Sequence, residues 1–379
     1  MNAKRRYVTE ATKKEVLSFY GNHCIICGVD PSAVDLAHIE EDCTRSGFVD
    51  LAPMCANANQ SCQRSQDQCT YPLIEEVRPA RLEITADSHF SRGKWSAAYG
   101  CLRIAAHLYS RCDRPVDALH CLIRSIRPLR PIENADLLLY SVISAAHLIT
   151  QKRSRIPALY HGLFLHQVAL VLFDYALIND AFEFERHAQR LLDRTKLSDN
   201  PDRLEIIREN ARRGVCMVSP QPDILIPELE RSNETLFRHG DYTGVVTNFH
   251  VMSAIEIAVH GFSMRAREYV EQGLTFENKA ENLWPIAELY LLKGRFLKGE
   301  NDSKAKDYLE SALKSFSMYC IRPEPLRCEG NLISNEPGHI LRELGYNEFQ
   351  LIGVRGPCPL SQDLLKCLLT QVIGQDQKD

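Results

Sequence analysis

Beyond Arg81 the chain repeats apolar residues three or four positions apart almost continuously, the spacing that lines one face of a helix. Before that point the pattern differs. Glu10 to Tyr20, with apolar Val16, Leu17 and Phe19, predicts one short helix. Residues 32–39 partly alternate apolar and polar positions, and 48–54 form a second short apolar run, with Ser46 and Gly47 supplying a turn between them. Two short strands joined by a loop, then a helix after Met54, is the economical assignment. Residues 63–80 are polar and carry Pro72 and Pro79, which reads as a linker.

Within the helical part several stretches share one grammar. Phe90 to Ala98 leads into Cys101–Leu108, Phe237 to Tyr242 leads into Val245–Val259, and residues 287–316 read AELYLLKGRFLKGENDSKAKDYLESALKSF. In each, a glycine and an aromatic residue mark a helix–helix turn, and alanines permit close approach of helices. These segments resemble tetratricopeptide-type repeats, most clearly at 287–316, with a period that departs from a strict ~34 residues. The resemblance implies helical hairpins stacked as a solenoid, with long surfaces suited to protein partners. The prolines around Ser219–Pro222 and at Pro227 separate two helical halves or mark a sharp turn, and residues 353–359 break helix again. Ser361 to Ile373 then predicts an amphipathic helix that caps the array. The expected fold is mostly α, a small zinc-stapled ββα module over 1–78 with its linker, a repeat domain over 79–350, and a capping helix and tail over 351–379.

Charge and cysteine usage narrow the function. The formal net charge of −4 gives no global pull toward nucleic acid or anionic membrane, so a phosphate contact has to come from a local patch. No run approaches the ~20 apolar residues that span a bilayer, and the stretch from Gly162 to Phe173 reads as a buried helix. Met1 to Arg6 is not followed by the apolar core of a secretory signal, so the expected location is the cytoplasm. Of 14 cysteines, six (Cys24, Cys27, Cys43, Cys55, Cys62 and Cys69) crowd into one short stretch. The others, among them Cys101, Cys112, Cys121, Cys216 and Cys367, read as small apolar residues of helices.

The clustered cysteines call for a metal. Cys24 and Cys27 have the spacing at which two thiolates of one turn reach a single zinc ion, and Cys55 with Cys62 completes a closed four-thiolate structural site. Cys69 is the alternative fourth ligand; Cys43, in the loop between the strands, is the poorer one. A strand pair this small needs such a staple. A redox role for Cys24–Cys27 is disfavoured, because no alternating strand–helix pattern surrounds it. Four thiolates leave no open zinc position, which argues against a zinc hydrolase of small molecules.

Between the two clusters stand Asp35-Leu36-Ala37-His38-Ile39 and Asp50-Leu51-Ala52-Pro53-Met54-Cys55. This order, after Cys24-x-x-Cys27, resembles HNH endonucleases of the treble-clef type over roughly residues 16–64. The resemblance implies His38 as the general base, Asp50 at the place of the family's middle asparagine, and Asn59 as ligand of a catalytic Mg2+ or Mn2+ ion. Two departures stand out. Ala37 replaces an acidic or imidazole ligand, and Ala58 stands where the family has a cysteine, so the second half of the zinc site is rearranged. If Asn59 is displaced with it, Asp50 or Glu40 supplies the oxygen ligand. The implied activity is metal-dependent hydrolysis of DNA, controlled or targeted by a partner on the helical repeats, as in bacterial anti-phage effectors. A homo-oligomer is compatible with this reading. The alternative is a non-enzymatic zinc-containing adaptor that binds DNA or protein; Asp30, Asp35, Glu40, Glu41 and Asp42 favour it, because their charge repels a phosphate backbone.

Overall fold

The protein is described by a computed structural model, which covers residues 8–20, 25, 34–38, 51–55, 72–91, 94–132, 134–195, 201–219, 225–280, 283–317 and 358–373. Among these residues are fourteen α-helices and one two-stranded sheet, so the chain is mostly helical. Two compact units divide it: Met1–Tyr160 with Pro359–Asp379, and His161–Cys358.

The first unit begins with α1, Glu10–Tyr20. Thr9 starts it by accepting the Thr12 N–H on its hydroxyl at 3.1 Å, which satisfies one of the donors left open at a helix N-terminus. The strands β1, Val34–His38, and β2, Leu51–Cys55, follow. Helix α2 then runs Pro72–Ser91, so the expected linker over 63–80 is helical from Pro72 onward. Proline is well suited to the first helical position because its missing N–H has no intrahelical partner there. Only Pro79 lies inside the helix. The two prolines read as breakers in sequence, and one of them is a start signal.

Helix α3, Trp95–Arg111, is the centre of this unit, buried at nearly every position from Trp95 to Tyr109. A helix apolar on all sides has to be enclosed. Here α1, α2 and α4, Pro115–Ile132, pack around it. Its small residues Ala97, Ala98, Gly100, Ala105 and Ala106 let those neighbours approach. Helix α5, Ala135–Gln151, is capped by Asn134, whose Oδ1 accepts the Leu137 N–H at 3.0 Å. The last helix of the chain, α14 at Gln362–Ile373, packs on α5 through buried Leu365, Leu368 and Val372. Arg153 fastens it by donating to the Gln371 carbonyl at 3.0 Å. The expected terminal cap thus serves the first unit.

Helix α6, Ala158–Asp174, carries the apolar run expected to be buried, and Phe164, Leu165, Val168 and Leu172 are inaccessible to solvent. The second unit continues with α7, Ile178–Arg194, and α8, Pro201–Val218. Then come α9, Ile226–Arg238, and α10, Tyr242–His260. Helices α11, Met264–Leu274, α12, Leu283–Gly299, and α13, Ala305–Ser317, complete it. The pairs α7–α8, α9–α10, α10–α11 and α12–α13 pack against each other, which is the helical-hairpin arrangement expected from sequence. In the α9–α10 turn Gly240 takes a positive φ of 70°, a conformation other residues adopt only with strain. Asp241 then caps α10 by accepting the Gly244 N–H at 2.9 Å. Within α12–α13 the core is Ala287, Leu291, Leu309 and Ala312, with Trp284 packed on it. The proline-rich break between Val218 and Ile226 falls inside the second unit, so it is not the division between the two units.

Candidate functional site

β1 and β2 pair antiparallel with Val34 opposite Cys55, Leu36 opposite Pro53, and His38 opposite Leu51. His38 is therefore the last residue of the first strand. Proline in a sheet is confined to positions whose N–H faces away from the ladder. Pro53 obeys this rule. Its carbonyl accepts the Ile25 N–H at 3.0 Å, so its backbone groups face away from β1. Leu51 and Ala52 are fully buried, which anchors β2 from within.

Ile25 is the junction between the strand pair and the helices. In sequence it stands between Cys24 and Cys27, and Pro53 stands two residues before Cys55. The two cysteine-bearing segments are therefore tied to each other at residues 25 and 53. From the helical side, His89 Nε2 on α2 donates to the Ile25 carbonyl at 2.7 Å, and the Cys101 thiol on α3 approaches the same oxygen at 3.4 Å. Both side chains are buried. One residue is thus held at its N–H, its carbonyl and its side chain.

Tyr20 closes the seat from α1. Its ring meets Phe19 edge-on at 4.7 Å, and Phe19 meets Tyr99 of α3 in the same way at 6.3 Å. Burial holds the Tyr20 hydroxyl far above the usual phenol range, and Tyr99 beside it adds to the shift. Arg103, only 2% exposed, donates to the Tyr99 hydroxyl at 2.6 Å and lies 3.9 Å from the Tyr140 ring centroid.

Gly100 is the critical position of α3 here. A Cβ at this residue would stand 2.7 Å from Ile25 Cδ1 and 3.2 Å from Tyr20 Cε1. Gly100→Leu is expected to force Ile25 off its seat, at a cost of at least ~1–3 kcal/mol for overpacking. The measurable result is faster amide hydrogen exchange at Ile25 and along β2, with the helical circular dichroism retained. Exchange equal to that of the native protein would show that the strand pair does not depend on the seat.

No protein-family model matches this chain, and no curated protein matches it. The site rests on its own geometry.

Of the residues expected to act, His38 and Cys55 lie at the ends of the two strands, where their backbone positions are described. Asp50, Asn59, Cys24, Cys27, Cys62 and the alternative ligand Cys69 lie outside the described residues. Among the described residues no group of three or more His, Cys, Asp or Glu side chains could hold a metal ion. No described helix is long and apolar enough to cross a membrane. Among the dispersed cysteines, Cys101, Cys121 and Cys216 are buried as expected, whereas Cys112 is half-buried and Cys367 is exposed on α14. Burial pushes the Cys216 thiol up to about 12, so it is inert as a nucleophile. The residues that seat Ile25 were not evident from sequence. His89, Gly100 and Cys101 carry no local motif, and more than sixty positions separate them from it.

Proposed function

We propose that the chain is a metal-dependent HNH-type DNA endonuclease, cutting phosphodiester bonds under the control of a protein partner on its helical hairpins. The observation that carries this reading is the register of the strand pair: His38 ends β1 opposite Leu51, and the Pro53 carbonyl on β2 accepts the N–H of Ile25, which stands between Cys24 and Cys27 in sequence. That juxtaposition supports the reading, because the resemblance to HNH endonucleases rests on the same order of elements.

In this reading Cys24, Cys27, Cys55 and Cys62 hold a structural zinc ion, with Cys69 as the alternative to Cys62. The Ile25–Pro53 bond supports the fit, since it joins the segments that bear three of the four thiolates. Asn59, with Asp50 nearby in sequence, would hold Mg2+ or Mn2+. When bound, that ion supplies positive charge against the phosphate and the leaving oxygen. The chain's own part is proton transfer. A neutral imidazole at His38 takes the proton from the attacking water, a task suited to an unperturbed pKa of ~6.5. Lys13 and Lys14, exposed on α1, offer charge to the DNA backbone. A partner-controlled nuclease of this architecture suits an anti-phage effector acting in the cytoplasm.

The test is nicking of supercoiled plasmid by the full-length protein with Mg2+, with Mn2+ and with EDTA, in the presence of candidate partners. Metal-dependent nicking supports the enzyme. Absence of nicking under every condition, with DNA binding or partner binding retained, supports the zinc-containing adaptor, the reading favoured by the carboxylates from Asp30 to Asp42.

A further inference from the structure

The second unit holds a cation arranged for a ligand, and the nuclease reading makes no use of it. Arg213, partly exposed on α8, donates through Nη1 to Asn248 Oδ1 at 2.9 Å and to the Gly244 carbonyl at 3.2 Å, both on α10. Its Nη2 donates to Asn210 Oδ1 on α8 itself. Asn248 is fully buried and is held from α9, where its Nδ2 donates to Ser232 Oγ at 3.2 Å. The guanidinium is therefore oriented from two helices by neutral acceptors only.

Carboxylates act on Arg213 from Asp241, Glu209 and Glu185, yet each is engaged elsewhere. Asp241 caps Gly244, Glu209 pairs with Arg212 at 3.2 Å, and Glu185 accepts from His166 Nδ1 at 2.7 Å. Among the described residues Arg213 forms no ion pair, and it bonds through Nη1 and Nη2, not through Nε. An arginine buried for structural reasons is ordinarily paired with a carboxylate. One held in place by amide oxygens keeps its charge and its free N–H groups for something else. Burial lowers its pKa to about 10, which leaves it protonated at neutral pH.

We propose that Arg213, oriented by Asn210 and Asn248, is an oxyanion-binding site that takes a carboxylate or phosphate group. The planar fork of N–H donors on a guanidinium matches both groups, and two parallel charge-assisted bonds give the recognition its direction. The assignment is independent of the nuclease reading, since it concerns residues of the second unit alone.

His250 on α10 reports on the site. Burial first, and the positive charge of Arg213 second, hold its imidazole down to about 4. An oxyanion bound at Arg213 offsets that charge, so the His250 titration midpoint moves upward. The experiment is NMR titration of the full chain with inorganic phosphate and, separately, with trifluoroacetate, both of which stay anionic at the His250 midpoint, at constant ionic strength in chloride. A saturable upward shift of the His250 midpoint is expected. A response to phosphate alone identifies phosphate as the ligand group, a response to trifluoroacetate alone identifies carboxylate, and a response to both admits either. Arg213→Gln is expected to weaken the response by about tenfold or more, with helical circular dichroism unchanged. Arg213→Lys, which keeps the charge and loses the fork, is the second variant should the glutamine protein fail to fold, and it is expected to bind more weakly than native. Absence of a shift with either anion in the native protein overturns the proposal. So does undiminished binding by a folded variant.

Discussion

Replacing His38 by alanine is expected to lower the rate of plasmid nicking by about 10²- to 10⁴-fold, the usual contribution of a positioned general base. The structural reason for confining the loss to chemistry is the place of His38 in the sheet. It is the terminal residue of β1, opposite Leu51, and the burial of Leu51 and Ala52 anchors the neighbouring strand without it. The bond between Ile25 and Pro53 lies two register positions away, so the segments that bear the cysteines stay tied in the variant. Zinc content and melting temperature of His38→Ala should therefore match the native protein. A variant that nicks at the native rate would remove His38 from the mechanism. A variant that loses zinc together with activity would make the histidine a structural residue.

The second large effect is expected at Cys27. A strand pair of this size buries too little apolar surface to hold itself, and structural zinc in small modules contributes on the order of 10–16 kcal/mol of apparent binding free energy. Cys27→Ala should empty the site, with zinc by elemental analysis falling from about one ion per chain to none. Limited proteolysis should then cut at Lys13 and Lys14, while the segment beginning with α2 survives. The helices of both units have cores of their own, so most of the helical signal should persist. Full zinc occupancy in Cys27→Ala would mean that the ion, if present, has other ligands.

The parts of the fold that sequence made legible are those governed by local periodicity. The hairpins at 237–259 and 287–316 follow from apolar spacing interrupted by a glycine and an aromatic residue, and α9–α10 and α12–α13 match them. The strand pair was equally legible, because alternation of apolar and polar positions and a Ser46-Gly47 dipeptide between the two runs are local signals. The start of α2 was missed because proline stops a helix in its interior and favours its first turn, and spacing alone does not separate the two cases. The seat of Ile25 was invisible for a different reason. It depends on a glycine of α3, a histidine of α2 and a tyrosine of α1 meeting across the first unit, and no pattern along the chain records that meeting. Arg213 belongs to the same class. Its neutral partners Asn210 and Asn248 sit on different helices, and a lone arginine in sequence says nothing about what it bonds.

The nuclease reading turns on whether His38 and Asn59 serve one metal-containing site apart from the zinc staple. A crystal structure of the full-length protein soaked in Mn2+, with manganese and zinc distinguished by anomalous scattering, measures this directly. The account predicts zinc among the cysteine thiolates and a separate manganese ion on Asn59, with His38 within reach of a water beside it. Manganese absent from that position, or His38 enclosed where no water and no phosphate could approach it, would contradict the account.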